Sequence, residues 1–199
     1  MILFSYLVCA YLIGSLSFAI IVSKSLKMND PRSYGSGNAG ATNVMRSGNK
    51  LAAVLTLAGD FLKGLLVVVL AYRLSGANND SITIASLCGI LVIIGHVFPI
   101  FFKFKGGKGV ATAAGVIAGI NLYLFICVIL AWVVVFKITK VSSLSAILAT
   151  ALSPVFAYFI LGNGVYFGAV VCIAVIIILT HKQNIIRLIT GQEHAFKKK

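Results

Sequence analysis

VATAAGVIAGINLYLFICVILAWVVVF, residues 110–136, decides how this chain is threaded. The run reads either as one long tilted helix or as two short crossings, since a full crossing takes about 20 helical residues. The flanking charges separate the two readings. As two crossings, 110–121 and 122–136, it completes a set of seven with runs at 2–23, 51–72, 84–102, 144–161 and 165–180. With the N-terminus outside, the cytoplasmic side then holds Lys24, Lys27, Arg32, Arg46, Lys50, Lys103, Lys105, Lys108, Lys137, Lys140, Lys182, Arg187, Lys197, Lys198 and Lys199. That is 15 of the 17 basic residues; Arg73 falls outside and Lys63 within a span. As a single crossing, the run would send Lys137, Lys140 and the basic C-terminus outward. The positive-inside bias favours two. The expected fold is therefore all-α, a polytopic integral membrane protein of seven transmembrane helices with its N-terminus outside and its C-terminus cytoplasmic.

Composition agrees. Of 199 residues, 60% are hydrophobic and only 11% charged, far from a soluble domain and suited to a bilayer. The net charge of +13 is set by topology before it says anything of ligands, and no soluble basic surface is left to bind nucleic acid. Cys9, Cys88, Cys127 and Cys172 sit singly in apolar runs, without metal or redox spacing. The chain opens on apolar residues with no basic leader, and Lys24 and Lys27 follow the first run, so that run reads as a retained span. Tyr6, Tyr72, Tyr123, Tyr158 and Tyr166 fall at the outer ends of spans, where an interfacial aromatic belt belongs. No repeat or long linker divides the chain, so residues 1–199 read as one membrane domain.

Three polar, glycine-bearing stretches interrupt the apolar background, and this threading places all three on the cytoplasmic side: Gly35–Asn43, Lys105–Thr112 and His181–Leu188. In the first, Gly35, Gly37 and Gly40 permit the positive φ that turns successive amides toward one anion. Ser36, Asn38, Thr42 and Asn43 add neutral donors, and Arg46 a fork suited to phosphate oxygens. An ordinary polar turn is the plainer alternative. The spacing Gly35-x-Gly37-x-x-Gly40, with Asp60 twenty residues on, imitates a dinucleotide fingerprint, but the flanking elements are membrane spans rather than a strand and a soluble helix.

Lys105-Gly-Gly-Lys-Gly is not a P-loop, since Gly109 stands where Ser or Thr would hold magnesium. What remains is flexible backbone at Gly106 and Gly107 with Lys108 enclosed by glycines, just before a helix N-terminus that favours negative charge. Positive-inside anchoring accounts for Lys103 and Lys105. In the third stretch His181, Asn184, Arg187 and Leu188 share one face if the helix continues, with Gly191 ending it and Glu193 available to pair with a cation. Helix-end capping is the alternative for His181 and Arg187. Asp60 and Lys63, one turn apart within a span, are either a functional pair or a structural one. His96 belongs to the end of the third span, and Ser142 and Ser143 stand at a helix entrance where Ser commonly caps.

Together these stretches closely resemble the bacterial PlsY family, the acyl-phosphate:glycerol-3-phosphate acyltransferases of the inner membrane. The resemblance rests on Gly35-Ser-Gly-Asn-Ala-Gly-Ala-Thr-Asn-Val-Met-Arg-Ser-Gly48, on His96-Val-Phe-Pro99 leading to Lys105-Gly-Gly-Lys-Gly-Val-Ala-Thr112, and on His181-x-x-Asn184-Ile-x-Arg187-Leu-x-x-Gly191-x-Glu193, with Asp60-x-x-Lys63-Gly64 besides. It implies transfer of a fatty acyl group from acyl phosphate to the 1-hydroxyl of glycerol 3-phosphate, giving lysophosphatidate and inorganic phosphate in the cytoplasmic (inner) membrane, with the active site facing the cytoplasm. By that similarity Ser36, Lys108, His181 and Asn184 are catalytic. Gly37, Asn38, Gly40, Thr42, Asn43, Arg46, Gly106, Gly107, Ser142, Arg187 and Glu193 bind substrate. Ser36, Arg46, Lys108, Ser142, His181 and Asn184 would surround glycerol 3-phosphate, and the glycine loop with Asn38, Thr42 and Asn43 would hold the acyl-phosphate head.

The residues suit that chemistry. An acyl phosphate is an activated mixed anhydride, so a protein mainly has to align two anions and offset their repulsion. No cofactor is expected, and no metal, since carboxylates and histidines do not cluster. The His-x-x-x-x-Asp pattern of many acyl-CoA-dependent enzymes is missing, because Phe101, Ile186 and Lys199 stand at the tested positions. A small anion transporter with a basic vestibule is the competing class. It would need polar residues near the midplane, where only Asp60 and Lys63 qualify.

Overall fold

The computed structural model describes residues 2–193. Met1 and residues 194–199, including Lys197, Lys198 and Lys199 of the expected basic terminus, lie outside the described residues. The described chain is helical, with no strand: α1 Ile2–Gly14, α2 Phe18–Ser25, α3 Ala41–Met45, α4 Lys50–Leu74, α5 Asn79–Val97, α6 Val110–Ile120, α7 Leu122–Thr139, α8 Ser142–Leu161, α9 Val165–Thr180 and α10 Lys182–Ile189. Two compact units divide at Ile120 and Asn121.

Among the described residues, four helical segments can cross a membrane by length and composition, or up to six if each of two bent pairs counts as one span. The expected single span over 2–23 is one of those pairs: α1 and α2 meet at 46°, interrupted at residues 15–17. The other pair answers the condition set on the third stretch: α9 and α10 meet at His181 at 59°, so the helix does not continue straight through it. Residues 110–136 are indeed broken in two. Asn121 is extended (φ −159°, ψ 124°) and caps α7 by accepting the Leu124 N–H at 2.9 Å. At about 1.5 Å per residue, the 11 residues of α6 reach roughly half the bilayer core.

In the first unit α4 packs against α6 and α5, and α1 runs along α5. Glycines permit the closest approach: a Cβ on Gly64 would strike the Thr112 carbonyl, and one on Gly115 the Phe61 carbonyl. Small residues at such contacts are what a helix pair in lipid uses to gain dispersion, because lipid chains supply no hydrophobic drive between helices. A separate apolar cluster of Ala19, Ile20, Ala39, Val44, Ala52 and Ala53 fixes the 28–48 connection beneath α2 and α4. In the second unit α8 lies between α7 and α9, and α10 folds back on both α8 and α9. Only Leu124 of α7 is fully buried; the remaining residues are half-buried or exposed, as suits a helix with one face toward lipid.

Candidate active site

The first glycine stretch is held by its own sequence. Asp30 caps the 3-10 turn Pro31–Ser33, accepting the Arg32 N–H at 2.9 Å while Arg32 Nη2 reaches Oδ2 at 2.7 Å. The Arg32 hydrogen bond holds the Asp30 carboxyl below the usual carboxylate range, against a smaller upward push from burial. Arg32 Nη1 also donates to the Phe102 carbonyl at 3.2 Å, which ties this turn to the segment before Lys105. The Asp-Pro dipeptide signals such a cap, but nothing in the sequence marks its long-range partner.

Gly35 and Gly37 adopt positive φ (59° and 68°), as expected, while Gly40 is extended. Asn43, 1% exposed, works inside the loop: its Oδ1 accepts the Ser36 N–H at 2.9 Å and its Nδ2 donates to the carbonyls of Pro31 (2.6 Å) and Tyr34 (3.1 Å). A Cβ on Gly35 would collide with Asn43 Oδ1 and come within 3.5 Å of Arg46 Cδ, so the Arg46 stem stands beside the Ser36 turn. Ser36, Gly37, Thr42 and Arg46 are exposed and Asn38 is half-buried. The turn is rigid below and polar above.

The second stretch is laid onto the end of α5. Gly106 N–H donates to the Val97 carbonyl (3.2 Å) and Gly107 N–H to the His96 carbonyl (3.1 Å). A Cβ on Gly107 would collide with His96 Nε2 and lie 2.7 Å from the Ala39 carbonyl oxygen, so the two glycine stretches meet at Gly107 and Ala39. Lys108 is half-buried, Gly109 turns at φ 85°, and α6 begins directly after. Ser36, Arg46 and Lys108 thus belong to loops braced on each other, beside a helix N-terminus whose first N–H groups favour an anion.

Beneath these loops the span residues Asp60, Lys63 and His96 form one buried cluster. Lys63 Nζ lies 2.8 Å from Asp60 Oδ1 and 3.0 Å from His96 Nδ1, and donates to the carbonyls of Gly14 (3.0 Å) and Leu16 (2.7 Å). The first of these carbonyls ends α1 and the second lies within the interruption between α1 and α2. In a membrane an unwound backbone must find partners within the protein, and here the ammonium supplies them. The expected neighbourly pairing of Asp60 with Lys63 is present. His96 is more than the end of its span, and a partner 33 residues away leaves no sequence signal.

The second unit carries its own polar constellation. Glu193 Oε1 accepts Ser143 Oγ and Asn184 Nδ2, each at 2.6 Å, and Oε2 accepts Arg187 Nε at 2.7 Å. Burial pushes the Glu193 carboxyl up, but the donors Ser143, Arg187 and Asn184 and the Arg187 charge outweigh it and hold it below the usual range. Asn184 and Arg187, one turn apart on α10, are aimed by this carboxylate, which meets the expectation that Glu193 pairs with a cation. Ser143 is the residue missing from the expected set. The residue preceding α8 is Val141, so Ser142 and Ser143 both enter the helix rather than cap it, and Ser142 is half-buried. His181, 3% exposed, sits at the bend with Nδ1 2.8 Å from the Ile177 carbonyl. A carbonyl only accepts, so Nδ1 carries a proton.

Comparison with known proteins places the chain in a family. A family model described as Glycerol-3-phosphate acyltransferase matches residues 4–191. A glycerol-3-phosphate acyltransferase of Chromobacterium violaceum is 54% identical over 194 residues, covering 96% of this chain and 93% of that protein. One from Nitrosomonas eutropha is 48% identical, covering 92% of each. Two crystal structures of PlsY (YgiH), an integral membrane glycerol 3-phosphate acyltransferase, superpose closely. Its glycerol 3-phosphate form has a TM-score of 0.92 at 36% identity, and its lysophosphatidic acid form 0.89 at 37%, each covering 99% of this chain and 96% of that one. A helical membrane chain with two braced glycine loops and a match over nearly its full length belongs to the glycerol-3-phosphate acyltransferase family.

Proposed function

We propose that this glycerol-3-phosphate acyltransferase takes its acyl group from acyl phosphate and places it on the 1-hydroxyl of sn-glycerol 3-phosphate, releasing lysophosphatidate and inorganic phosphate. This is the first acylation of phospholipid synthesis, at the cytoplasmic face of the inner membrane. The observation that carries it is the meeting of two glycine loops at Ala39 and Gly107, with Arg46 and Lys108 beside them. Two anions that repel each other need such a place. The relatives' printed activity supports the acceptor, and the absent His-x-x-x-x-Asp pattern supports a donor other than acyl-CoA.

In the proposed reaction the 1-hydroxyl oxygen attacks the acyl carbonyl carbon, the ester C–O bond forms, and the anhydride C–O bond to phosphate breaks. Lys108 and the loop amides stabilise charge on the phosphoryl and carbonyl oxygens. By the resemblance, Ser36, Arg46, Ser142, His181 and Asn184 orient glycerol 3-phosphate, with Arg187 and Glu193 holding Asn184. Asn38 and Thr42 bind the donor head, with Gly37, Gly40, Gly106 and Gly107 lending backbone and Asn43 keeping the loop in shape. Phosphate has an ionisation near pH 6, so the hydroxyl proton passes to the substrate's own phosphate and no strong protein base is required. The threading that serves this site is seven crossings with the N-terminus outside, supported by the break at Asn121 and the distribution of basic residues. Purified protein given acyl phosphate and glycerol 3-phosphate, with acyl-CoA in a parallel arm, tests the donor: turnover with acyl-CoA alone contradicts the proposal.

A further inference from the structure

We propose that His96 is a positioning residue for the donor, resting on the acyl-phosphate reading above: its ring is the floor on which Gly107 sits, and Lys63 fixes which ring nitrogen faces that loop. An ammonium has three donors and no acceptor. Lys63 directs them at Gly14 O, Leu16 O and His96 Nδ1, all within 3.0 Å, while Asp60 Oδ1 at 2.8 Å is its ion-pair partner. Nδ1 must therefore offer a lone pair, and Thr112 Oγ1 at 3.2 Å suits the same role. Asp60 Oδ1, 3.4 Å away, would favour a proton on Nδ1, but the ammonium is closer to both partners and decides the tautomer.

The ring proton then resides on Nε2, on the side facing Gly107. His96 meets the loop twice, through this edge and through its carbonyl, which accepts the Gly107 N–H at 3.1 Å. The same point of Gly107 approaches the Ala39 carbonyl, in the middle of the stretch assigned to the donor head. A change in the ring should thus displace the Gly107–Ala39 contact and with it the donor-binding amides, while leaving the constellation around Glu193 intact.

The test compares His96→Asn, His96→Gln and Gly107→Ala in purified, detergent-solubilised full-length protein, measuring kcat and both KM values. The Asn amide reaches only the Nδ1 position, whereas the Gln amide reaches the Nε2 position. His96→Asn is expected to raise the KM for acyl phosphate about tenfold, with the KM for glycerol 3-phosphate and kcat within about threefold of wild type. His96→Gln should recover most of that loss. Should His96→Asn fail to fold, Gly107→Ala alters the same contact from the loop side and should raise the KM for acyl phosphate more than that for glycerol 3-phosphate. An unmoved donor KM in the folded variants, equal rises in both KM values, or Asn and Gln variants that behave alike would overturn the inference. If the wild type itself does not use acyl phosphate, the donor assignment fails instead, a result distinguishable from unresponsive variants of an active enzyme.

Discussion

Replacing Glu193 by Ala removes one carboxylate that receives Ser143, Asn184 and Arg187 at 2.6, 2.6 and 2.7 Å. Summed naively, three charge-assisted bonds at about 1.5–3 kcal/mol each would overstate the effect, because neighbours in one network do not add. Arg187 has a side chain 33% exposed and can be rehydrated, so its share falls to that of a surface pair, about 1 kcal/mol or less. Asn184 is 4% exposed, and loss of this partner costs about 1–3 kcal/mol. Together the substitution should destabilise the second unit by about 2–4 kcal/mol. For a chain of this length that is a fall in Tm of about 5–15 °C, read by thermal unfolding of purified protein in detergent. Glu193→Gln should fall between, keeping an acceptor for one donor but turning an amide toward another. A Glu193→Ala protein melting within about 2 °C of wild type would refute the claim that this carboxylate pins α10.

The depressed Glu193 pKa gives a second reading of the same contact. Its stabilisation should be fully present above the unfolded value of about 4.3 and should vanish as pH falls through the lower folded value, so the Tm gap between wild type and Glu193→Ala closes in acid. Lys63→Met should cost about 3–5 kcal/mol by leaving Asp60 uncompensated, and a double change with Asp60→Asn should recover part of that, measured by the same melts. Gly115→Ala should lower stability by about 1–3 kcal/mol, because its Cβ would strike the Phe61 carbonyl. His181→Gln, unable to take up a proton, should keep turnover within about a hundredfold of wild type. Complete loss with both substrates still bound would assign the proton to His181 rather than to phosphate.

Hydropathy and the placement of lysines located the helices well, including the break inside residues 110–136. The break falls at Asn121, and it was the flanking basic residues rather than the apolar run itself that separated two helices from one. The bends at residues 15–17 and at His181 were not legible, because a run of apolar residues reads the same whether the helix continues or unwinds. What permits the first bend is Lys63, which answers the freed carbonyls from another helix. The glycine loops announced themselves through composition, and Gly35 and Gly37 turn as that composition requires. The inward use of Asn43 was hidden, for an Asn that binds a ligand and one that ties a loop look identical in sequence. Ser143 was overshadowed by its neighbour Ser142, since only the fold of α10 brings Glu193 to it.

The central claim is that this chain joins an acyl phosphate to glycerol 3-phosphate. Purified protein supplied with both should release inorganic phosphate and form lysophosphatidate in equal amounts, and omission of glycerol 3-phosphate should stop both. Phosphate release without lysophosphatidate would contradict it.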